Sequence, residues 1–275
     1  MDRAKLRVKV AGGGAFGLTI AWSLAEAGFQ VSLHDPGRIN ASSVAAGMLA
    51  PVFETVLDPQ GAHDLNMLMM ARDLWPALAD RVGIMLDQTG ALAVGHPEFL
   101  ERVSFGLGRL NVAAQGVNRF RLETAVPGLG GIFRDGVLTD EDWRLAPVSA
   151  LTALRAAAAA AGVAFQTQSV AGLDGCDRLV IATGAGQDLM SLAPLLKGLT
   201  PIKGQILRSA GRVFEGVLRL PTGYCVGGSG DLAIGATMEP GLSDLVPTVE
   251  ARARLEAWGV RPFQPSIRGS RPRSG

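Results

Sequence analysis

The segment LRVKVAGGGAFG, residues 6–17, sets the architecture of the N-terminal part of the chain. An apolar strand, Leu6 to Ala11, runs directly into glycines with the GxGxxG spacing of a dinucleotide-binding turn. Gly12 permits the tight turn, Gly14 lets the backbone approach a pyrophosphate, and Gly17 lets the following helix pack closely on the strand. The segment therefore predicts the start of a βαβ unit that binds a dinucleotide.

The residues after this turn extend the same pattern. Ala15 and Phe16 open a small-residue helix, whose free backbone N–H groups are expected to receive the phosphate. Residues 29–34 then read as a second buried strand, which delivers Asp35, 18 residues beyond Gly17, to the place where a ribose hydroxyl is held. A carboxylate there disfavours the phosphorylated ribose of NADP, and it leaves both FAD and NAD open.

A second loop of small residues follows at 41–51, with the sequence ASSVAAGMLAP. In one interpretation Ser42 caps a helix and the alanines pack closely. In the other, the loop resembles the second FAD loop of the D-amino-acid oxidase class of flavoproteins, and that of the glycine oxidases most closely. The resemblance implies that FAD is the cofactor. It also implies that the flavin and pyrophosphate are approached by hydroxyls and backbone groups of Ser42, Ser43, Ala46, Gly47 and Met48.

Later stretches carry the same likeness. Residues 178–186 are similar to the strand that returns the chain to FAD in this class, which implies cofactor contacts at Thr183 and Gly184 and at the backbone of Val170. Further stretches resemble strands of the glycine oxidase substrate domain, namely residues 200–205, 223–226 and 232–240.

Tyr224 is the only tyrosine in the chain and lies in one of these strands. The resemblance implies that its hydroxyl binds the substrate carboxylate. The alternative is a tyrosine whose ring packs in the sheet and whose hydroxyl meets water. Glu54 follows the 41–51 loop, where the resemblance implies a channel-side acid and the alternative is a solvated surface glutamate.

The order of these elements predicts an α/β fold, with a doubly wound, Rossmann-like FAD domain and a second α+β substrate domain built on an antiparallel sheet. A length of 275 residues suffices for two modest domains. We expect the domains to alternate along the chain as FAD-binding 1–80, substrate 81–139, FAD-binding 140–198 and substrate 199–248. Residues 249–275 are expected to form a helix and a poorly ordered, basic, Gly/Ser-rich tail.

Composition and charge exclude several classes of function. The 26 basic and 25 acidic residues are mixed along the chain, and no basic face predicts a nucleic acid partner or an anionic membrane surface. No apolar run reaches the roughly 18 residues of a membrane helix. The three histidines are isolated and offer no metal-ligand spacing. Cys176 and Cys225 are expected to be free thiols in a cytoplasmic protein.

The resemblance implies FAD-dependent oxidation of glycine or a similar small amine to an imine, with oxygen as the acceptor and release of hydrogen peroxide, as in thiamine thiazole synthesis. The alternatives are a sarcosine or D-amino-acid oxidase or dehydrogenase, and a non-catalytic FAD-binding fragment. The implied partner is a small-molecule amine substrate, and a homo-oligomer is left open.

The C-terminal residues depart from the resemblance. Arg261 is similar to the family's arginine that clamps the substrate carboxylate, but the strand and flavin-contacting glycine loop that follow this arginine in the family have no counterpart before Gly275. A surface arginine at a helix end is the alternative. We therefore expect the 275-residue chain to hold FAD weakly and to oxidise glycine poorly.

Overall fold

The computed structural model describes residues 6–58, 64–210, 214–228 and 230–258, together with the backbone of residues 271–274. The α-helices of this part are α1 Ala15–Glu26, α2 Ala41–Val44, α3 Pro51–Leu57, α4 Leu65–Asp73, α5 Trp75–Val82, α6 Pro97–Arg109, α7 Arg119–Ala125, α8 Pro147–Ala160 and α9 Val249–Trp258. Short 3₁₀ helices cover Leu129–Gly131 and Pro194–Gly198.

The strands of the described residues form four sheets. They are β1 Arg7–Ala11, β2 Gln30–His34, β3 Met48–Leu49, β4 Leu86–Asp87, β5 Ala91–Val94, β6 Gln115–Asn118, β7 Asp135–Thr139, β8 Trp143–Leu145, β9 Ala164–Gln166, β10 Arg178–Ile181, β11 Ile202–Lys203, β12 Gln205–Ala210, β13 Gly216–Leu220, β14 Gly223–Gly228, β15 Asp231–Gly235, β16 Glu239–Pro240 and β17 Arg271–Ser274.

A four-stranded parallel sheet in the order β10-β1-β2-β9 forms the centre of the nucleotide-type half. Val10 and Leu33 are fully buried in its two central strands, under helices α1 and α8, which contribute Leu18 and Leu154 to the same core. Parallel strands that are connected through helices have mainly apolar sequences, because the helices cover the faces of the sheet. The predicted α/β fold is confirmed.

An eight-stranded sheet in the order β17-β12-β15-β14-β13-β5-β7-β6 forms the other half, and its strands are antiparallel except at the β13–β5 pair. Successive residues of each strand point to opposite faces of this sheet. On β13, Leu218 and Leu220 point to a core that contains Leu255 of α9. Val217 points to the opposite face, against Phe53 of α3. This second face is the one turned toward the 41–51 loop.

Two small sheets accompany the two large ones. β3, β8 and β4 form a three-stranded antiparallel sheet that ties the 41–51 loop to the segment before α8. β11 pairs with β16 in a separate two-stranded sheet, and the two strands adjoin β12 and β15 of the eight-stranded sheet along the chain. The 41–51 loop is therefore held by backbone hydrogen bonds between the two large sheets.

The sequence also predicts a strand over residues 163–170, and this strand is shorter in the structure, where it covers only Ala164–Gln166. β9 ends at Gln166, opposite His34, because β2 ends there and offers no partner farther on. Val170 lies in the irregular segment that follows, where its side chain is buried in a small cluster with Ala11 and Leu189.

The prediction of a poorly ordered tail is wrong for residues 271–274, which form β17 and pair with β12. The free N–H and C=O groups of an edge strand can pair with almost any extended segment, whatever its composition. Residues 259–270, which include Arg261, lie outside the described residues. The helix predicted before them agrees with α9.

Cys176 is a free thiol, as predicted, and is half-buried, whereas Cys225 is buried in β14. Among the residues that the structure describes, no helix has the length and apolar character needed to cross a membrane.

Candidate cofactor and substrate site

The turn between β1 and α1 requires glycine at two positions. Gly12 has a φ of +106°, and a Cβ there would overlap the carbonyl group of Ala182 just after β10. A Cβ on Gly17 would overlap the carbonyl oxygen of Gly12, so α1 can lie this close to β1 only with glycine at position 17. Gly14 is the N-cap of α1, with extended backbone and no side-chain cap. Gly14 itself has no side chain that could accept the N–H groups of the first turn.

Ser42 joins the second loop to this turn. The Ala15 N–H donates to the Ser42 hydroxyl at 3.1 Å. The interpretation of Ser42 as a helix N-cap is wrong, because Asn40 caps α2 by accepting the N–H of Ser43 at 3.0 Å. The Ser43 hydroxyl donates to the Asn40 carbonyl at 2.8 Å and so belongs to the cap. Of the two serines, Ser42 is the one whose side chain lies at the start of α1.

Asp35 lies at the end of β2, beside the glycine turn. Its Oδ1 accepts the N–H of Gly37 at 3.0 Å, which orients the carboxylate. A Cβ on Gly13 would overlap this carboxylate. Gly13 lies between the fingerprint glycines, and sequence reasoning gave it no role. The structure shows that the absence of a side chain at Gly13 makes room for the Asp35 carboxylate.

The second half of the 41–51 loop is fixed by β8. Gly47 has a φ of +88°, and its carbonyl accepts the N–H of Leu145 at 2.9 Å. Met48 pairs with Arg144 in the β3–β8 ladder, and Ala46 is buried against the eight-stranded sheet. The backbone of this loop is therefore presented between the glycine turn and that sheet.

The other residues predicted to contact the cofactor are Phe16, Val170, Thr183 and Gly184. Thr183 and Gly184 follow the end of β10. The Thr183 hydroxyl donates to the carbonyl of Gly186 at 3.3 Å, and Gly184 has a φ of +59°. Val170 is buried in a cluster with Ala11, the last residue of β1, and Leu189. Phe16 is 81% exposed and contributes backbone, not packing, to the first turn of α1.

Tyr224 lies in β14 on the face of the eight-stranded sheet that α3 and the 41–51 loop cover. Its ring lies so close to β15 that a Cβ on Gly235 would overlap the phenol. Burial raises the pKa of Tyr224 to about 12. The hydroxyl is therefore protonated at neutral pH and able to donate a hydrogen bond.

Arg219 is a site residue that sequence reasoning missed. It lies directly opposite Tyr224 in the β13–β14 ladder, on the same face. Its Nη1 donates to Glu54 Oε1 at 2.7 Å and lies 3.6 Å from the sulfur of Met48. The side chain is only 7% exposed. A lone arginine between apolar residues, in the sequence VLRL at 217–220, was the available signal, since such a residue must find partners when its strand is buried.

Glu54 has features of both alternatives, the channel-side acid and the solvated surface glutamate. Its side chain is 47% exposed, yet it pairs with the buried Arg219 beside Tyr224. It projects from α3, whose start is held by Asp142. The Val52 and Phe53 N–H groups donate to the two Asp142 carboxylate oxygens at 2.9 and 3.0 Å. Sequence reasoning also missed Asp142, whose role depends on a contact 90 residues distant in the chain.

The Asp142 carboxyl is fully buried. Burial raises its pKa to about 6, while the hydrogen bonds from Val52 and Phe53 and the charge of Arg219 act in the opposite direction. The ionised Asp142 carboxylate therefore interacts electrostatically with the charges of Arg219 and Glu54.

The glycine turn fits a dinucleotide. The nearest heavy atom to a Cβ placed on Gly14 is the Ser42 hydroxyl at 3.1 Å, and backbone does not crowd this position. A pyrophosphate at the start of α1 would meet backbone N–H groups and a serine hydroxyl, with a carboxylate at the neighbouring strand end for the ribose.

The sequence model of the family described as DAO, FAD dependent oxidoreductase, matches residues 7–275. The chain belongs to this family of FAD-dependent oxidoreductases, as the resemblance predicted. A Rhizobium etli protein assigned by its name to thiamine biosynthesis, as the oxidoreductase ThiO, is 31% identical over 210 residues. The match covers 74% of this chain and 60% of the relative, so the chain spans about 60% of the length of that curated relative.

Solved structures share the fold. Glycine oxidase from Geobacillus kaustophilus is similar with a TM-score of 0.79 at 24% identity, over 98% of this chain and 82% of that chain. Glycine oxidase from Bacillus cereus has a TM-score of 0.74 at 19% identity, over the same shares of 98% and 82%. Iminodiacetate oxidase from Chelativorans sp. BNC1 gives 0.74 at 18% identity, again over 98% and 82%.

Proposed function

We propose that this chain binds FAD and oxidises a small primary or secondary amine, glycine first among them, to an imine. The observation that carries the proposal is the hydrogen bond between Ala15 N–H and the Ser42 hydroxyl, which sets the second small-residue loop beside the phosphate-binding turn. The family match supports FAD as the dinucleotide. The fold shared with glycine oxidases and the name of the Rhizobium etli relative support an amine as the substrate.

When bound, FAD supplies the acceptor for the hydride that leaves the amine carbon. The chain's own residues bind and orient. In the proposal, the first turn of α1 and the Ser42 hydroxyl hold the pyrophosphate, and Asp35 accepts hydrogen bonds from ribose hydroxyls. The backbone at Gly47 and Met48 lines the flavin side of the 41–51 loop.

Tyr224 is the proposed substrate-binding residue. Its protonated hydroxyl, on the sheet face that the 41–51 loop covers, donates to the substrate carboxylate. Tyr224→Phe keeps the ring and removes only this donor, so we expect KM for glycine to rise about tenfold with FAD content unchanged. An unchanged KM would leave Tyr224 as a packing residue.

The division of the chain into domains belongs to the same proposal. The strands of the parallel sheet come from residues 7–34 and 164–181, and most strands of the eight-stranded sheet come from residues 91–139 and 205–235. This alternation supports an FAD-binding domain of residues 1–80 and 140–198 and a substrate domain of residues 81–139 and 199–248. Oxygen as the acceptor, a homo-oligomeric state and a cytoplasmic location complete the proposal.

The test is peroxide formation by the purified, FAD-supplemented chain. Glycine, sarcosine and D-alanine are assayed separately at equal concentration, and the control contains no amine. We expect slow peroxide formation from glycine, in keeping with the departure of the C-terminal residues from the resemblance, and less from the other two amines. Flavin in the protein without peroxide from any of the three would contradict an amine oxidase, and a protein that takes up no FAD would contradict the whole proposal.

A further inference from the structure

A cavity of about 180 Å³ lies where the start of α8 meets the eight-stranded sheet. One wall consists of β8 and the first turn of α8, and the opposite wall consists of β12, β14 and β15. Among the described residues that line it, Ala46 is the one taken from the predicted cofactor contacts. The residues proposed to bind the pyrophosphate, the ribose and the substrate are not in its lining, so this cavity is separate from the site described above.

Arg144 of β8 brings a guanidinium into this cavity. Its side chain is 13% exposed, and its Nε donates to Asp87 Oδ2 at 2.7 Å. The terminal nitrogens Nη1 and Nη2 make no hydrogen bond within the described part of the chain. They lie against Gly228, where a Cβ would overlap Nη1. Gly228 therefore leaves room for a guanidinium whose terminal N–H groups are available to a ligand.

The counterion of Arg144 is shared with another group. Asp87 Oδ1 accepts the N–H of Thr89 at 3.0 Å and the Thr89 hydroxyl at 2.6 Å. Burial acts to raise the pKa of Asp87, but the hydrogen bonds from Thr89 and the charge of Arg144 outweigh it and hold this pKa below its usual value. The ionised carboxylate thus meets only Nε of Arg144. Since a guanidinium binds oxyanions best through paired N–H groups, its unused Nη edge is the part suited to a ligand.

The opposite wall supplies a second guanidinium and a carboxylate. Arg208 of β12 is largely buried, and its Nη2 donates to the carbonyl oxygens of Val44 and Ala45 at 3.1 and 2.6 Å. Its Nη1 donates to Asp231 Oδ2. Asp231 is partly exposed and lines the same cavity. The cavity therefore combines two guanidinium groups with one carboxylate acceptor.

This combination distinguishes among tetrahedral anions. Guanidinium groups bind the oxygens of phosphate and sulfate alike. A carboxylate repels an anion that has no proton, but it accepts a hydrogen bond from an anion that has a hydroxyl. Inorganic phosphate keeps at least one hydroxyl proton at neutral pH, whereas sulfate has none and a phosphate monoester loses its last one near about pH 6.

We propose that this cavity is a binding site for free hydrogen phosphate, with Arg144 and Arg208 donating to its oxygens and Asp231 accepting from its hydroxyl. The volume of about 180 Å³ is an order of magnitude more than the roughly 15 Å³ that admits one water molecule, so a five-atom ion fits. The site is additional to the proposed function and does not rest on it.

The experiment is calorimetric titration of the FAD-loaded chain in a phosphate-free buffer at about pH 7.5 and constant ionic strength, which cancels general screening. The probes are inorganic phosphate, sulfate and methyl phosphate. All three are tetrahedral, and the last two lack the hydroxyl proton at this pH. We expect phosphate to bind about tenfold more tightly than either, the difference that one charged hydrogen bond makes.

Two substitutions assign this binding to the cavity. Arg144→Gln removes the available guanidinium and should raise the phosphate Kd about tenfold or more. Asp231→Asn should narrow the preference for phosphate over sulfate, because an amide does not repel an anion that lacks a proton. Arg252→Gln is the matched control, since Arg252 forms an ion pair with Glu256 within α9. It should leave all three Kd values unchanged.

The outcomes separate this inference from the proposed function. A chain that takes up no FAD contradicts the proposed function alone, and the same titrations of the FAD-free chain then decide the inference. Phosphate can enter the pyrophosphate position at the start of α1 when FAD is absent, so phosphate binding that Arg144→Gln leaves unchanged overturns the inference. Equal Kd values for phosphate and sulfate overturn it as well, as does methyl phosphate as the tightest ligand. If Arg144→Gln fails to fold by circular dichroism, Asp231→Asn decides, and an unchanged preference for phosphate over sulfate overturns the inference.

Discussion

At the scale of single residues, the glycine turn shows how a position without a side chain serves two different purposes. Gly12 and Gly17 are glycines because neighbouring backbone fills the space that a Cβ would need. Gly14 is different, since a Cβ there meets only the Ser42 hydroxyl at 3.1 Å. We infer that Gly14 is open for a ligand, whereas Gly12 and Gly17 are required by the fold.

A substitution at Gly14 should therefore affect the cofactor more than the fold. We expect Gly14→Val to yield a folded protein without retained FAD, because a branched side chain would occupy the pyrophosphate position. Absorbance of the purified variant gives the FAD content, and circular dichroism gives the fold. Gly108→Ala is the control, since a Cβ on Gly108 of α6 meets nothing within 4 Å. A yellow Gly14→Val protein with stoichiometric FAD would contradict the site.

The role proposed for Asp35 is to select the nucleotide by binding its ribose hydroxyls. We expect Asp35→Ala to weaken FAD binding by about 1–3 kcal/mol, because the ribose hydroxyls would lose a charged acceptor. Titration of the FAD-free protein with FAD measures the change, and NADP should not bind tightly to either form. An unchanged FAD affinity would mean that another residue holds the ribose.

At the scale of elements, α3 is positioned by a contact that no local pattern predicts. Asp142 accepts the N–H groups of Val52 and Phe53, and the helix it holds carries Glu54 toward Arg219. The glycine turn could be predicted because its constraints act over a few consecutive residues. Asp142 and Arg219 could not be assigned roles, since their partners come from distant strands and helices brought together only by the fold.

The buried Asp142 makes stability depend on pH. Its pKa in the folded chain, about 6, lies above the ordinary value of 3.8, so the native state binds this proton more tightly than the unfolded state does. The stability contributed by this more tightly bound proton is therefore present at low pH and is lost as the pH rises toward and through 6. We expect wild type to lose about 2 kcal/mol relative to Asp142→Asn between about pH 4 and pH 7.

Urea unfolding of both proteins at several pH values measures this difference in the free energy of unfolding. The comparison with Asp142→Asn cancels the titration of all other groups that the substitution leaves unperturbed. Parallel pH profiles for the two proteins would contradict a raised pKa at Asp142.

At the scale of the whole molecule, the sequence predicted the α/β class and the order of its elements. Apolar runs indicate which segments are buried, and glycines indicate the turns between them. The sequence did not predict β17, since residues 271–274 pair with β12 through backbone groups and their composition carries no strand signal. Nor did it predict that the 41–51 loop would be tied to β8, which places that loop against the face of the larger sheet that bears Tyr224 and Arg219.

The proposed function requires that this chain hold FAD where an amino acid can reduce it. The most direct measurement is the flavin absorbance of the FAD-loaded protein after glycine is added without oxygen. We expect glycine to bleach the oxidised flavin spectrum and the admission of oxygen to restore it. A flavin that dithionite bleaches but saturating glycine, sarcosine and D-alanine leave oxidised would contradict the claim.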